Sequence, residues 1–342
     1  MSDAADLVAR YRGVPVLVVG AAGFLGTHVA RAALRAGARV RALVSDRRRL
    51  APDVARGADR VLEEQQRKPA HVAAAAAWSE ASLVVNCAGA GVRPEDRDEA
   101  ALRRDNAALP AALVDAAANL AARDRGGWGG VRLIHLGSAL EYGTGALSLD
   151  EAGDAAPDEP YGASKLAGTR AVVEGARARG VPALAARLFT VFGAGEPAGR
   201  LLPTLWARRS DDGEIPLTAG LQKRDFAYAE DVAEALLRLA AVPGAAVAAG
   251  APPFDGGVVN LATGRLTAVR DFVTLAARAF GVDPARLAFG RLPSRPDDTR
   301  HPPTPIDRLR AALGGRVLPD DLADALRRAA SACAAASAGT SP

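Results

Sequence analysis

The segment PYGASK, residues 160–165, places a lysine four positions after a tyrosine. Three lysines stand against forty arginines in this chain, and there are four tyrosines; about 0.04 such pairs are expected by chance, so the spacing carries information. Positions i and i+4 share a helix face, which would set the ammonium of Lys165 beside the phenol of Tyr161. A phenol with an ordinary pKa near 10 exchanges protons poorly at neutral pH, and a nearby cation lowers that value by roughly 1–3 units. A compact ammonium with three rotatable donors suits that task and can hold ribose hydroxyls as well; a planar guanidinium is no substitute. Tyr161 is thus a candidate general acid/base, with Lys165 as its electrostatic partner. Ser138 closes the strand-like run VRLIHLGS, residues 131–138, at the carboxyl edge where parallel sheets hold ligands. Its hydroxyl would hydrogen-bond a carbonyl or alkoxide beside the phenol.

These groups need a scaffold, and the remaining pattern supplies one. VPVLVV (14–19) is a short β-branched run, followed by a glycine turn, an apolar-periodic helix, a glycine stop and a second strand ending at Val44. Further strand-like runs lie at 82–89, 131–138, 181–189 and 257–263, with helix-patterned segments between them. Such alternation predicts an α/β fold with a doubly wound parallel sheet. Gly20, Gly23 and Gly26 form G-x-x-G-x-x-G directly after the first strand, where bare backbone and a helix N-terminus can approach a pyrophosphate. With Phe24 and Leu25 they are the candidate dinucleotide cradle. The second strand is followed by Ser45, Asp46, Arg47, Arg48 and Arg49. Asp46 falls near the spacing of an acid that holds the NAD ribose, whereas Ser45 with Arg47 or Arg48 would take the phosphate of NADP. The basic run favours NADP and leaves NAD open.

From about residue 190 the chain turns to short elements rich in Pro and Gly, interrupted by the helix pattern AEDVAEALLRLAAV (229–242). The expected organisation is a Rossmann domain over 1–190 that also receives about 226–263, and a substrate lobe from 191–225 and 264–330. Residues 244–257 read as a mobile loop and 331–342 as a fraying small-residue tail.

Composition excludes other classes. The net charge of +4 comes from arginines interspersed with acids, and 4% aromatic content leaves few platforms for stacking bases, so no nucleic-acid partner is expected. No apolar run approaches the roughly 18 residues of a membrane span, and the acidic start is unlike a signal peptide, so the expectation is a cytoplasmic protein. Cys87 and Cys333 make no disulfide framework, and His28, His71, His135 and His301 show no metal-ligand spacing.

The motifs together resemble the extended short-chain dehydrogenase/reductase superfamily, in its nucleotide-sugar epimerase, dehydratase and reductase branch. The similarity runs through VVGAAGFLG, VVNCAG, GSALEYG, YGASK, RLFTVFGAGE, RDFAYAEDVAEAL, VNLATG and SRPDDTRHPPTPIDRLRAALG. The resemblance implies a nicotinamide cofactor, chemistry at a sugar carbon and a homodimer packed through helices that include the Tyr-Lys one. It adds Cys87, Ala88 and Gly89 to the cofactor site. Asn106 falls where the family keeps an asparagine on a helix behind the site, surface solvation being the other reading. Ser138, Ala139, Thr190, Leu202, Arg224 and Arg295 become the substrate-side residues, the two arginines as grips on a nucleotide diphosphate, for which forked donors suit.

Two departures bear on the reaction. The 4,6-dehydratases of this branch resemble S-T-D-E-V-Y-G, where an Asp-Glu pair eliminates water; here the stretch is Gly137-Ser138-Ala139-Leu140-Glu141-Tyr142-Gly143. Ala139 and Leu140 cannot move protons, although Glu141 follows one place later. Thr190 stands where related R-x-F-N-x-Y-G proteins carry an asparagine. The expected activity is NAD(P)H-dependent reduction of a keto group on a nucleotide-activated sugar of the NDP-4-keto-hexose type. The rival is a 4-epimerase with tightly held NAD, and a third class is a non-catalytic dinucleotide sensor or scaffold.

Overall fold

The computed structural model describes residues 3–92, 96–123, 128–293 and 302–338. Its main sheet is built from β1 (Pro15–Val19), β2 (Arg39–Val44), β3 (Arg60–Glu63), β4 (Leu83–Asn86), β5 (Leu133–Ser138), β6 (Ala183–Leu188) and β10 (Val258–Leu261). These seven strands are ordered β10-β6-β5-β4-β1-β2-β3, and every pairing is parallel. Strands buried on both faces read as unbroken apolar runs, which is why VLVV and LVV were legible as strands. Along β1, Val16 and Val18 enter one core cluster and Leu17 and Val19 the other, so each face of the sheet is covered. β3 escaped the sequence reading because RVLE is short, half-exposed and polar at both ends.

The order reverses at β1 and β4, the place where open parallel sheets bind ligands beyond their carboxyl ends. Gly20, Cys87 and Ser138 all lie at that edge, following or ending β1, β4 and β5.

After β6 the chain builds a second lobe. A three-stranded sheet joins β7 (Thr190–Phe192), β9 (Lys223–Tyr228) and β11 (Leu266–Ala268), and a two-stranded one joins β8 (Ile215–Leu217) to β12 (Leu287–Phe289). Its own core gathers Phe192, Leu205, Ile215, Phe226, Phe272 and Leu326, with Phe226 and Phe272 stacked at 3.9 Å.

Two expectations of disorder are corrected. Residues 331–338 continue the helix Leu322–Ala338, because Ala325, Leu326 and Ala329 anchor its first half in the lobe core and alanine is the best helix former. The 244–257 segment contains the helix Gly244–Ala248 and is pinned by Arg308 donating to Asp255 and to the Pro253 carbonyl. Among the described residues no helix is long and apolar enough to cross a membrane.

Candidate active site

The glycine turn is held by close backbone packing and by Thr27, whose hydroxyl donates to the Ala21 carbonyl at 3.1 Å. Gly20 has φ +79°, a conformation that favours glycine, and a Cβ there would lie 2.9 Å from the Ala88 nitrogen. A Cβ on Gly26 would sit 2.1 Å from the Gly20 carbonyl oxygen, so the turn and the helix touch main chain to main chain. Gly23 caps the helix Phe24–Arg35 without any side-chain bond to its first amides. That helix N-terminus, uncapped by any side-chain bond, fits a pyrophosphate.

At the far end of the cradle the charges are already paired. Asp46 accepts two bonds from the Arg48 guanidinium, at 3.0 Å each, and caps the short helix Arg47–Arg49. Arg48 holds the Asp46 carboxyl below its ordinary range through those hydrogen bonds. Arg47 lies 3.3 Å from Glu63 and donates to the Val61 carbonyl. Ser45 is exposed.

The candidate catalytic wall is assembled from four elements. Ser138 ends β5, where its Oγ accepts the Leu140 amide, and its hydroxyl lowers the proton affinity of the Tyr161 phenol. Tyr161 and Lys165 lie in the first turns of the helix Pro160–Arg179. That helix packs closely because Gly168 lacks a side chain: a Cβ there would meet the Asn106 carbonyl oxygen at 2.0 Å. Asn106 belongs to a π-helical turn, Leu102–Ala108, and is fully buried, which excludes surface solvation. Its amide donates to the Ala90 carbonyl and to Ser164 Oγ, both at 3.0 Å, and accepts the Ala90 amide at 2.9 Å. Those bonds engage both of its donors, so Asn106 fixes the 88–91 loop instead of reaching toward a cofactor itself. Cys87, Ala88 and Gly89 line that loop. Burial pushes the Cys87 thiol up to about 12, leaving it protonated and unreactive.

The electrostatics differ from the expectation in one respect. The Lys165 ammonium donates to the Leu136 carbonyl of β5, and burial lowers it to about 8, partly opposed by Glu141 and Cys87. Burial likewise raises the Tyr161 phenol to about 12; Ser138 pulls it down, Glu141 pushes it up, and Arg97 and Arg200 pull it down. Desolvation outweighs the neighbouring cations here, so the phenol of the free protein holds its proton. In that state it is a donor.

The substrate side is less uniform. Ala139 follows Ser138 in the short helix Ala139–Tyr142, and Thr190 opens β7 next to the end of β6. Arg224 is half-buried on β9, opposite Thr267 of β11. Leu202 is corrected: it is 2% exposed, within the second lobe's core beside Leu205 and Ile215. An apolar side chain at a helix start follows the core when a neighbouring layer is there to cover it. Arg295 lies outside the described residues.

Sequence reasoning missed two arginines that approach the phenol. Arg97 stacks over the Tyr161 ring at 5.6 Å. Arg200 is held at 2.7 Å by Glu196, whose carboxylate is 3% exposed and also accepts the Gly193 amide. With forty arginines in the chain, no local signal separated these from solvated ones.

The model of the NAD dependent epimerase/dehydratase family matches residues 16–260. The chain belongs to this family. A dTDP-6-deoxy-L-talose 4-dehydrogenase (NAD(P)(+)) of Kitasatospora kifunensis is 32% identical over 271 residues, spanning 78% of this chain and 79% of that protein. The structure of MoeE5 in complex with UDP-glucuronic acid and NAD superposes with a TM-score of 0.73 at 25% identity, covering 95% of this chain and 100% of that one. A UDP-N-acetylglucosamine 4-epimerase of Methanobrevibacter ruminantium M1 shares the fold, with a TM-score of 0.75 at 19% identity over 95% and 99% of the two chains. As a family member the protein is an NAD(P)-dependent enzyme of the oxidoreductase/epimerase type. The glycine cradle fits that assignment.

Proposed function

We propose that this enzyme reduces a keto group on a nucleotide-activated sugar, of the NDP-4-keto-hexose type, at the expense of NADPH or NADH. The observation that carries the reading is that Ser138 at the end of β5 and the Tyr161–Lys165 helix, bonded to β5 through Lys165, meet at the sheet edge that holds the glycine cradle, with Ala139 and Leu140 where dehydratases place proton-moving acids. A reduced nicotinamide bound in the glycine cradle would supply the hydride for the carbonyl carbon. Tyr161 supplies the proton to the resulting oxygen, Ser138 holds that oxygen, and Lys165 anchors ribose hydroxyls and stabilises the phenolate left behind. Ketone, reduced cofactor and one proton become alcohol and oxidised cofactor. The relative that acts on a dTDP-sugar as a 4-dehydrogenase supports this substrate class and this carbon.

For the cofactor, Arg48 offsets the Asp46 charge that would repel a 2′-phosphate, and the exposed run Arg47–Arg49 keeps this loop basic. That supports NADP as the preferred form, with NAD also accepted.

The test is direct. Purified protein with an NDP-4-keto-6-deoxyhexose should consume the nicotinamide absorbance of NADPH, and more slowly that of NADH. Consumption of neither sinks the proposal. Co-purifying NAD⁺ together with interconversion of UDP-sugars in the absence of added cofactor would replace it with 4-epimerisation.

A further inference from the structure

Two departures from the S-T-D-E-V-Y-G pattern occur at once, glycine at 137 and glutamate at 141, and the structure shows that they are one feature. Glu141 is fully buried behind the catalytic wall. Its Oε1 accepts the Ser138 amide at 2.8 Å and the Thr169 hydroxyl at 3.0 Å, and its Oε2 accepts Arg187 Nε at 2.8 Å. Arg187 comes from β6, is almost completely buried, and lies over the Tyr142 ring at 4.3 Å. A Cβ on residue 137 would meet Glu141 Oε1 at 2.6 Å, Thr169 Oγ1 at 3.2 Å and Arg187 Cγ at 3.3 Å. Glycine at 137 is what makes room for the carboxylate and its partners.

This engagement removes Glu141 from the role of a proton shuttle, since both oxygens are committed inside the protein. A buried ion pair rarely adds stability over apolar packing, so its cost calls for another use. We propose that Glu141 is a positioning residue for the reductive reaction: clamped by Arg187, its carboxylate holds the Ser138 main chain and, through Thr169 one helical turn after Lys165, ties that serine to the Tyr161–Lys165 helix, placing a buried negative charge at the junction. The inference rests on the ketoreductase reading, in which Tyr161 must give up a proton and Lys165 must remain cationic.

The charged and titratable groups around this cluster are Arg187 from β6, Lys165 and Tyr161 from the Pro160–Arg179 helix, Tyr142 beside Glu141, Cys87 after β4, His135 from β5, and Arg97 and Arg200 from flanking segments. Lys165 and Tyr161 both gain proton affinity from Glu141. Removing the carboxylate therefore moves both in one direction, and the basic limb of the reduction profile must fall.

The experiment uses the full chain labelled at lysine Cε with carbon-13; with three lysines in the sequence, Lys68, Lys165 and Lys223 are separable. In Glu141→Gln the Lys165 titration is expected to drop by about one pH unit, with the basic limb of kcat dropping alongside it and KM unchanged, a roughly tenfold loss of rate above the new limb. Glu141→Asp, which keeps the charge, should restore most of the limb. A folded Glu141→Gln protein whose Lys165 titration matches wild type overturns the proposal. If that variant fails to fold, Glu141→Val/Arg187→Leu removes both charges in favour of apolar packing; a downward shift of Lys165 in it supports the proposal and an unchanged titration overturns it. The lysine titration needs no substrate, so a wild-type enzyme that reduces no keto-sugar would sink the ketoreductase reading separately.

Discussion

The cradle at Gly20–Gly26 and the wall at Ser138–Glu141 stand at the same sheet edge and work by opposite means. In the cradle, the proposed function rests on side chains that are absent: Gly26 and Gly20 touch through backbone, and the helix N-terminus has no side-chain cap. In the wall, the proposed function rests on polar and charged side chains that are present and buried: Lys165 at 4% exposed, Asn106 and Glu141 at 0%. The first is a steric device with one permitted solution. The second is an electrostatic balance, in which desolvation, one serine hydroxyl and several charges set where the protons sit. Steric devices fail abruptly, whereas balances shift by degrees.

The largest expected effect is therefore in the cradle. Gly26→Val forces a side chain into the Gly20 carbonyl, 2.1 Å from its first carbon; cofactor binding should be lost and the fold destabilised by several kcal/mol, read by cofactor-fluorescence titration and thermal unfolding. A variant that still binds NADPH tightly would break the contrast between the two regions.

In the wall, Tyr161→Phe should retain the fold and cofactor affinity while kcat falls by about 10²–10⁴, measured by steady-state reduction. Equal losses in cofactor affinity and kcat would mean that the phenol is a binding group only.

The next effect is on stability and has a definite pH sign. Lys165 drops from an ordinary 10.5 to about 8 on burial. The unfolded chain therefore binds more protons between those values, and stability rises with pH across that window. Below pH 8 the buried ammonium costs about 3 kcal/mol. Lys165→Met should be inactive yet more stable than wild type at pH 7, with the advantage shrinking toward pH 10.5; denaturant midpoints at several pH values check this. A less stable Lys165→Met protein at pH 7 would show that the Leu136 bond outweighs desolvation.

The smallest effect sharpens the cradle's far end. Arg48→Ala releases Asp46 from its exposed pair, and the NADPH-to-NADH ratio of kcat/KM should fall by about tenfold. A ratio unchanged in that variant would place the selectivity elsewhere, with Ser45 or Arg47 next to be replaced.

What could be read before the fold was known follows the same division. The G-x-x-G-x-x-G turn and the Tyr-x-x-x-Lys pair are contiguous, and local geometry carries their meaning: a tight turn admits only glycine, and a helix repeats its face every four residues. The apolar runs announced the buried parallel strands for a similar reason, since both sheet faces are covered. Leu202 was misplaced because an apolar residue near a substrate lobe looks the same whether it lines a pocket or fills a core. The 331–338 helix was misread because small residues suit both a fraying tail and a docked helix.

Spacing along the chain thus carried the sheet class and pointed to the glycine turn and the Tyr161–Lys165 pair, each of which depends on neighbours within a few residues. Proton positions were decided only in three dimensions. They depend on Lys165 finding the Leu136 carbonyl, on Arg97 and Arg200 nearing a ring 64 and 39 residues away, and on Arg187 clamping Glu141 across 46 residues. Burial and charge act through distance in space, and a sequence lists its residues without that distance.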